Sequence, residues 1–252
     1  SAVDRVRPAE IMSRRIVLKA LLVGTALALV PATASAQGSG NCGFLAETGV
    51  PPQRLSALAR GFNLTGWLDG EGTQRPSAET LTVLYRRGFT HIRLPVAPER
   101  LLPEFSRPDN VARDRGELDA ALDLLIGIGF AVSIDIHPGE RFERLHKREP
   151  EHGFALLDAL WRDLARRYAA YRPDRVFFEI LNEPGVSQEI WNTQGPRIAA
   201  TIRDAAPNHT IVYGPADFQQ IGALPEPLAL TNVVYAVHYY APMVFTHQGL
   251  DW

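Results

Sequence analysis

The 252-residue chain contains a single cysteine, Cys42. No disulfide can close within it, and no cysteine-rich metal site can be built. It carries no excess of either charge, since 26 lysines and arginines face 28 aspartates and glutamates. No basic face is visible, which argues against nucleic acid as a partner. There is no His-x-His and no His-Glu-x-x-His pair. A metal-dependent hydrolase built on His137, Asp135 and His238 is therefore disfavoured, and no metal or other cofactor is expected. No glycine-rich phosphate loop follows the first strand-like run, which weakens the case for a nucleotide-binding sheet.

Long apolar runs are also scarce. One run, Ala20 to Val30, follows Arg14, Arg15 and Lys19. It is too short to span a bilayer. Ala34-Ser35-Ala36 then supplies small residues before Gln37. This pattern predicts a secretory signal peptide over residues 12–36, cut after Ala36. It implies a secreted or periplasmic protein with no membrane attachment after cleavage. Met12 opens that segment, so residues 1–11 read as upstream sequence translated in frame. Residues 37–252 remain as one large domain.

Within that domain, strand-like runs alternate with helix-like ones. The strands are expected at Gly61–Trp67, Thr90–Val96, Ala131–His137, Arg175–Asn182, Thr210–Gly214 and Asn232–Tyr240. Helical periodicity appears over Ala78–Arg87, Glu117–Ile128 and Phe154–Tyr171. A fourth helix is expected to start near Ser187 and to kink or break at Pro196. Strand then helix, repeated, implies parallel strands with right-handed crossovers. An open doubly wound sheet and a (β/α)8 TIM barrel both fit. Polar residues cluster at the C-terminal ends of the strands, and in a barrel those ends converge on one mouth. The barrel is preferred, although only six of its eight strands are found.

The densest signal is Val176-Phe177-Phe178-Glu179-Ile180-Leu181-Asn182-Glu183-Pro184. Bulky residues on both faces predict a buried strand. Glu179 and Glu183 should share a face, and Pro184 should hold Glu183 extended. Adjacent Asn182 and Glu183 should then point apart, a geometric tension if both serve one site. A carboxyl group half-buried at a strand's end suits acid catalysis. Arg93 is a fixed charge that either orients a nucleophile or pairs with Glu179. His137 and His238 should line the site as neutral hydrogen-bonding groups. Tyr240 should share the face of His238, with Tyr239 turned away. Trp67 is a candidate sugar-stacking platform, whereas Trp161 lies in an apolar helical stripe. Trp191, His247 and Trp252 are further candidates for reaching substrate.

These residues together resemble glycoside hydrolase family 5, a large cellulase family. The likeness runs from about Arg60 to Trp252. Gly61-Phe62-Asn63-Leu64-Thr65-Gly66-Trp67-Leu68 is similar to its first strand, and His91-Ile92-Arg93-Leu94-Pro95 to its second. Asp135-Ile136-His137 resembles the third, Asn182-Glu183-Pro184 the family signature, and His238 with Tyr240 the sixth-strand pair. Gly185 departs from the pattern, where a larger residue is expected after the proline. The resemblance implies a retaining β-glycosidase with Glu183 as acid/base and Asn182 on the sugar 2-hydroxyl.

The family's nucleophile is a glutamate on the seventh strand. Glu226 lies among prolines before the sixth strand, and Asp251 lies in a loop, so neither fills that role. The chain therefore reads as a catalytic domain lacking its last two βα units and inactive alone. The implied partner is a β-glucan, bound by a monomer. Other family specificities (mannan, xyloglucan, β-1,3-glucan) and a carbohydrate-binding pseudoenzyme stay open.

Overall fold

The computed structural model describes residues 49–70 and 74–249. The chain divides into two units, and every described residue belongs to the second, Asn41–Trp252. The leader, Cys42, Asp251 and Trp252 lie outside the described residues.

The apolar runs form six strands, β1 (Gly61–Asn63), β2 (His91–Val96), β3 (Ala131–Ile136), β4 (Val176–Glu179), β5 (Thr210–Tyr213) and β6 (Val233–Tyr235). They pair in chain order and every pair is parallel. This is the curled sheet of an incomplete (β/α)8 barrel, with six strands among the described residues. β3, β4 and β5 are buried at every position. Such strands need cover on both faces, which is why they read as continuous apolar runs and not as alternating ones. β1 and β6 pair on one side only among the described residues and are less buried.

Among the described residues the α-helices are α1 (Pro52–Leu58), α2 (Ala78–Arg86), α3 (Pro98–Leu101), α4 (Pro108–Ile128), α5 (Glu140–Arg148), α6 (Pro150–Tyr168), α7 (Gln188–Ala205) and α8 (Met243–Thr246). α7 starts as expected, with the Ser187 hydroxyl accepting from the Ile190 amide at 3.3 Å. Pro196 lies within it and does not end it. α4 begins nine residues before its apolar stripe becomes visible at Glu117, and its first turn contains a proline, whose fixed φ suits that place. It stops at Gly129, whose φ of 122° favours glycine. α5 is too charged to show a stripe and buries only Phe142 and His146. Glu99 secures its start by accepting from the amides of Gly139 and Phe142, at 3.1 and 2.9 Å.

Three strands end three or more residues earlier than the sequence suggests, and β3 and β5 end one residue earlier. β1 stops at Asn63, β4 at Glu179 and β6 at Tyr235. Just beyond those points the amides of Leu64, Ile180, Asn182 and Ala236 still donate to neighbouring strands, but the regular strand has ended.

Two histidines, His209 buried and His91 half-buried, make the fold sensitive to acid. His91 Nε2 lies 2.8 Å from the Ser133 hydroxyl, and His209 stacks on Phe178 at 5.0 Å. Burial first, then neighbouring arginine charge, lowers both imidazoles from 6.5 to about 4. The folded histidines therefore stay neutral at pH 5, where unfolded ones bind a proton. Their contribution is complete above about pH 6.5 and is lost as pH falls toward 4. Tm should fall between pH 7 and pH 5, and His91→Gln should flatten the slope. A Tm independent of pH across that window would contradict this account.

Candidate active site

Each strand delivers its last side chains to the same end of the sheet. Asn63 ends β1, and Arg93 lies opposite it in the β1–β2 register. Asp135 and Glu179 are likewise register partners near the ends of β3 and β4. His137 follows β3, Asn182 and Glu183 follow β4, and His238 and Tyr240 follow β6. Asn63, Arg93, His137, Asn182, Glu183, His238 and Tyr240 line one cavity of about 320 Å³. The six catalytic candidates from the sequence therefore meet in one place.

Arg93 organises the floor. Its Nε and Nη2 donate to the two oxygens of Glu179 at 2.9 and 2.7 Å. Nη2 also lies 3.0 Å from Asp135 Oδ2 and donates to Asn182 Oδ1 at 3.0 Å. Nη1 reaches Asn63 Oδ1 at 3.2 Å. The planar fork of arginine suits this many acceptors, and lysine does not. Burial opposes the charge on Arg93, but the bond to Glu179 and the nearby Asp135 outweigh it and hold the guanidinium above its ordinary value. Burial and then Asp135 push the Glu179 carboxyl up, against the pull of Arg93. Pairing of Arg93 with Glu179 and contact with Asn182 thus coexist.

With Oδ1 committed to Arg93, the amide nitrogen is what Asn182 has left to offer a ligand. The carboxylate of Asp135 stands 2.9 Å from His137 Nδ1. A proton on Nδ1 satisfies that bond and leaves Nε2 as the acceptor. His238 Nδ1 lies 2.6 Å from Glu183 Oε1.

The local geometry at Glu183 departs from expectation. Its φ is 40°, so it is left-handed and not extended, even though Pro184 follows. The Asn182 amide still donates into the sheet, to Ile136 O at 2.8 Å. The Glu183 amide leaves the sheet and donates to Gln219 Oε1 at 2.9 Å. This turn resolves the tension between neighbours, because Asn182 and Glu183 no longer alternate and both face the cavity. For the same reason Glu179 and Glu183 are not two positions on one strand face.

Other expectations are corrected. Trp67 is fully buried and its Nε1 donates to Glu117 at 2.9 Å, so it presents no face for a sugar to stack on. Its apolar surroundings drew it into the core. Trp191 is also fully buried, donating to Gly214 O at 2.9 Å, and does not reach the cavity. Trp161 is core, as its stripe implied, donating to Ile180 O at 2.7 Å. Tyr239 is 79% exposed and does not line the cavity that His238 and Tyr240 share with Arg93. With Glu183, Phe218, His238, Tyr240 and His247 it lines an adjoining cavity of about 670 Å³. On the other side of Glu183 a polar cavity of about 440 Å³ runs past His137, Lys147, Gly185 and Asp217. At Gly185 a Cβ would meet only the flexible, part-exposed side chains of Lys147 and Glu143, at 2.7 and 2.9 Å, so packing does not account for the departure.

Sequence reasoning missed Asn63 and Gln219. Asn63 carries a weak signal, its place one strand over from Arg93. Gln219 carries none, because it lies in an irregular turn. Among the described residues no group of histidine, cysteine, aspartate and glutamate is placed to hold a metal ion. No helix among them is long and apolar enough to cross a membrane.

The family model for Cellulase (glycosyl hydrolase family 5) matches residues 54–251. Endoglucanase 3 of Fibrobacter succinogenes is 27% identical over 220 residues, covering 79% of this chain and 33% of that protein. Cellodextrinase A of Ruminococcus flavefaciens is 29% identical over 217 residues, covering 77% of this chain and 62% of that protein. The chain thus spans between a third and about three fifths of these relatives' length. Among solved structures, Thermotoga maritima Cel5A in complex with cellobiose superposes with a TM-score of 0.71 at 31% identity. That match covers 81% of this chain and 72% of the other.

Proposed function

The chain belongs to glycosyl hydrolase family 5, and from that premise we propose that it carries the acid/base half of a secreted, retaining endo-β-1,4-glucanase. The observation that bears most weight is the Glu183 carboxyl. It sits in a cavity floored by Arg93 and Asn182, with His238 on one of its oxygens at 2.6 Å. His238 engages Oε1 and leaves Oε2 to carry the proton. That proton passes to the glycosidic oxygen as the bond to the anomeric carbon breaks through an oxocarbenium-like transition state. The Asn182 amide nitrogen donates to the sugar 2-hydroxyl, a contact that tightens as charge develops. Glu183, now ionised, later takes a proton from the attacking water.

Double displacement also needs a second carboxylate about 5–5.5 Å from the first. Glu179 and Asp135 are both engaged by Arg93 and sit beneath the cavity, so neither is the nucleophile in this proposal. We assign it to a carboxylate outside the described residues, and expect the 252-residue chain alone not to turn over glucan. The names of the relatives and the cellobiose complex support a cellulose-type glucan as substrate. The test compares this chain with the longer gene product on soluble β-1,4-glucan. Only the longer protein should release reducing ends. Turnover by the 252-residue chain that persists in Glu183→Gln would overturn the proposal.

A further inference from the structure

Gln219 belongs to no motif, yet it is fully buried beside the acid/base. Its side-chain Oε1 accepts from the Glu183 amide at 2.9 Å. Its backbone carbonyl accepts from the His238 amide, also at 2.9 Å. Glu183 and His238 are in turn joined, Nδ1 to Oε1, at 2.6 Å. One residue therefore holds the backbones of both members of the pair, and the pair closes the ring through its own side chains.

The surroundings are built around this residue. Asp217, Phe218 and Gln219 have φ values of 54°, 55° and 55°, three successive non-glycine residues in the left-handed region. Such a run is rarely adopted unless neighbouring contacts impose it. It turns the Gln219 side chain back over the end of β5. Gly214 makes room, since a Cβ there would fall 1.8 Å from Gln219 Nε2. The Nε2 group itself is buried with no partner among the described residues. The amide is thus oriented for its oxygen, and the oxygen serves Glu183. That bond also explains how Glu183 holds a φ of 40° before a proline, since its amide has an acceptor away from the sheet.

We propose that Gln219 is a positioning residue for the proposed acid catalyst, fixing the backbone of Glu183 and its register with His238. This rests on the acid/base reading of Glu183. The role touches proton donation and not the nucleophile, so its loss should be felt where the leaving group needs a proton.

The test uses the longer, active gene product. It reads kcat/KM on an unactivated cello-oligosaccharide and on 2,4-dinitrophenyl β-cellobioside, whose leaving group departs without protonation. Gln219→Met removes the acceptor at similar volume. It should lower kcat/KM on the oligosaccharide about 10- to 100-fold, the scale of a displaced catalytic group, and on the aryl substrate several-fold less. Gln219→Glu keeps an acceptor oxygen in either protonation state and should recover most of the loss. Glu183→Ala, measured alongside, should show the same split more strongly. If Glu183→Ala slows both substrates equally, the acid/base reading falls and the positioning role with it. If Glu183→Ala shows the split but Gln219→Met slows both substrates equally, or Gln219→Glu recovers nothing, the positioning role alone is overturned.

Discussion

Replacing Glu183 by glutamine in the active gene product is expected to cut kcat/KM on β-1,4-glucan by about 10²- to 10⁴-fold. Glutamine keeps the shape and still meets His238 Nδ1, but it carries no transferable proton. Glucan binding should persist, because Asn182, Arg93, His137 and Tyr240 remain in the cavity. The loss should therefore fall on kcat far more than on KM, the sign of an interaction used in the transition state. Steady-state kinetics on a soluble glucan check this. A Glu183→Gln enzyme within about threefold of wild type would remove proton transfer from the role of this residue, since general acid catalysis is worth far more.

The second large effect concerns Arg93 and is read in stability. Glu179 and Asp135 are register partners on adjacent strands, both buried, and Arg93 bridges them. Without the guanidinium, two carboxyl groups share a dry floor with no compensating charge. Removing one partner of such a cluster costs about 3–5 kcal/mol. For a domain of this size, that corresponds to a fall in Tm of roughly 6–20 °C. Arg93→Met should show it in thermal or urea unfolding at pH 7. Adding Glu179→Gln and Asp135→Asn should restore much of the loss, because the burden is the uncompensated charge. Arg93→Lys should rescue poorly, since one ammonium cannot match the five acceptor oxygens Arg93 now holds. A single Arg93→Met variant that unfolds like wild type would contradict this picture of the floor.

Much of this site was legible from residue patterns. Parallel strands buried on both faces leave continuous apolar runs, so each strand showed itself and its last polar residue marked the mouth. Arg93, His137, Asn182, Glu183, His238 and Tyr240 were found that way. What the pattern could not carry was the backbone beyond the ladder. Period-two alternation assumes a strand, and the chain stops being one at Glu179 and at Tyr235. The left-handed turn at Glu183 lies past the first of those points. Trp67 was misjudged because an indole next to a strand end can either stack outward or pack inward, and only tertiary contacts such as Glu117 decide. Gln219 was invisible because its role depends on a turn with no periodic signature. α5 escaped because its charged surface hides the two residues it buries.

The assignment of Glu183 as acid/base, and not nucleophile, is tested most directly by trapping with azide. Glu183→Ala in the active gene product is supplied with 2,4-dinitrophenyl β-cellobioside, which forms the glycosyl-enzyme intermediate without acid assistance. Azide needs no general base, and it enters the space the carboxyl vacates. It forms a bond to the anomeric carbon as the ester to the nucleophile breaks and the carboxylate departs. Two inversions should leave β-cellobiosyl azide, identified by NMR, with turnover rising as azide is added. An α-configured azide would place the nucleophile at Glu183 itself, and the absence of any azide adduct would contradict its role as acid/base.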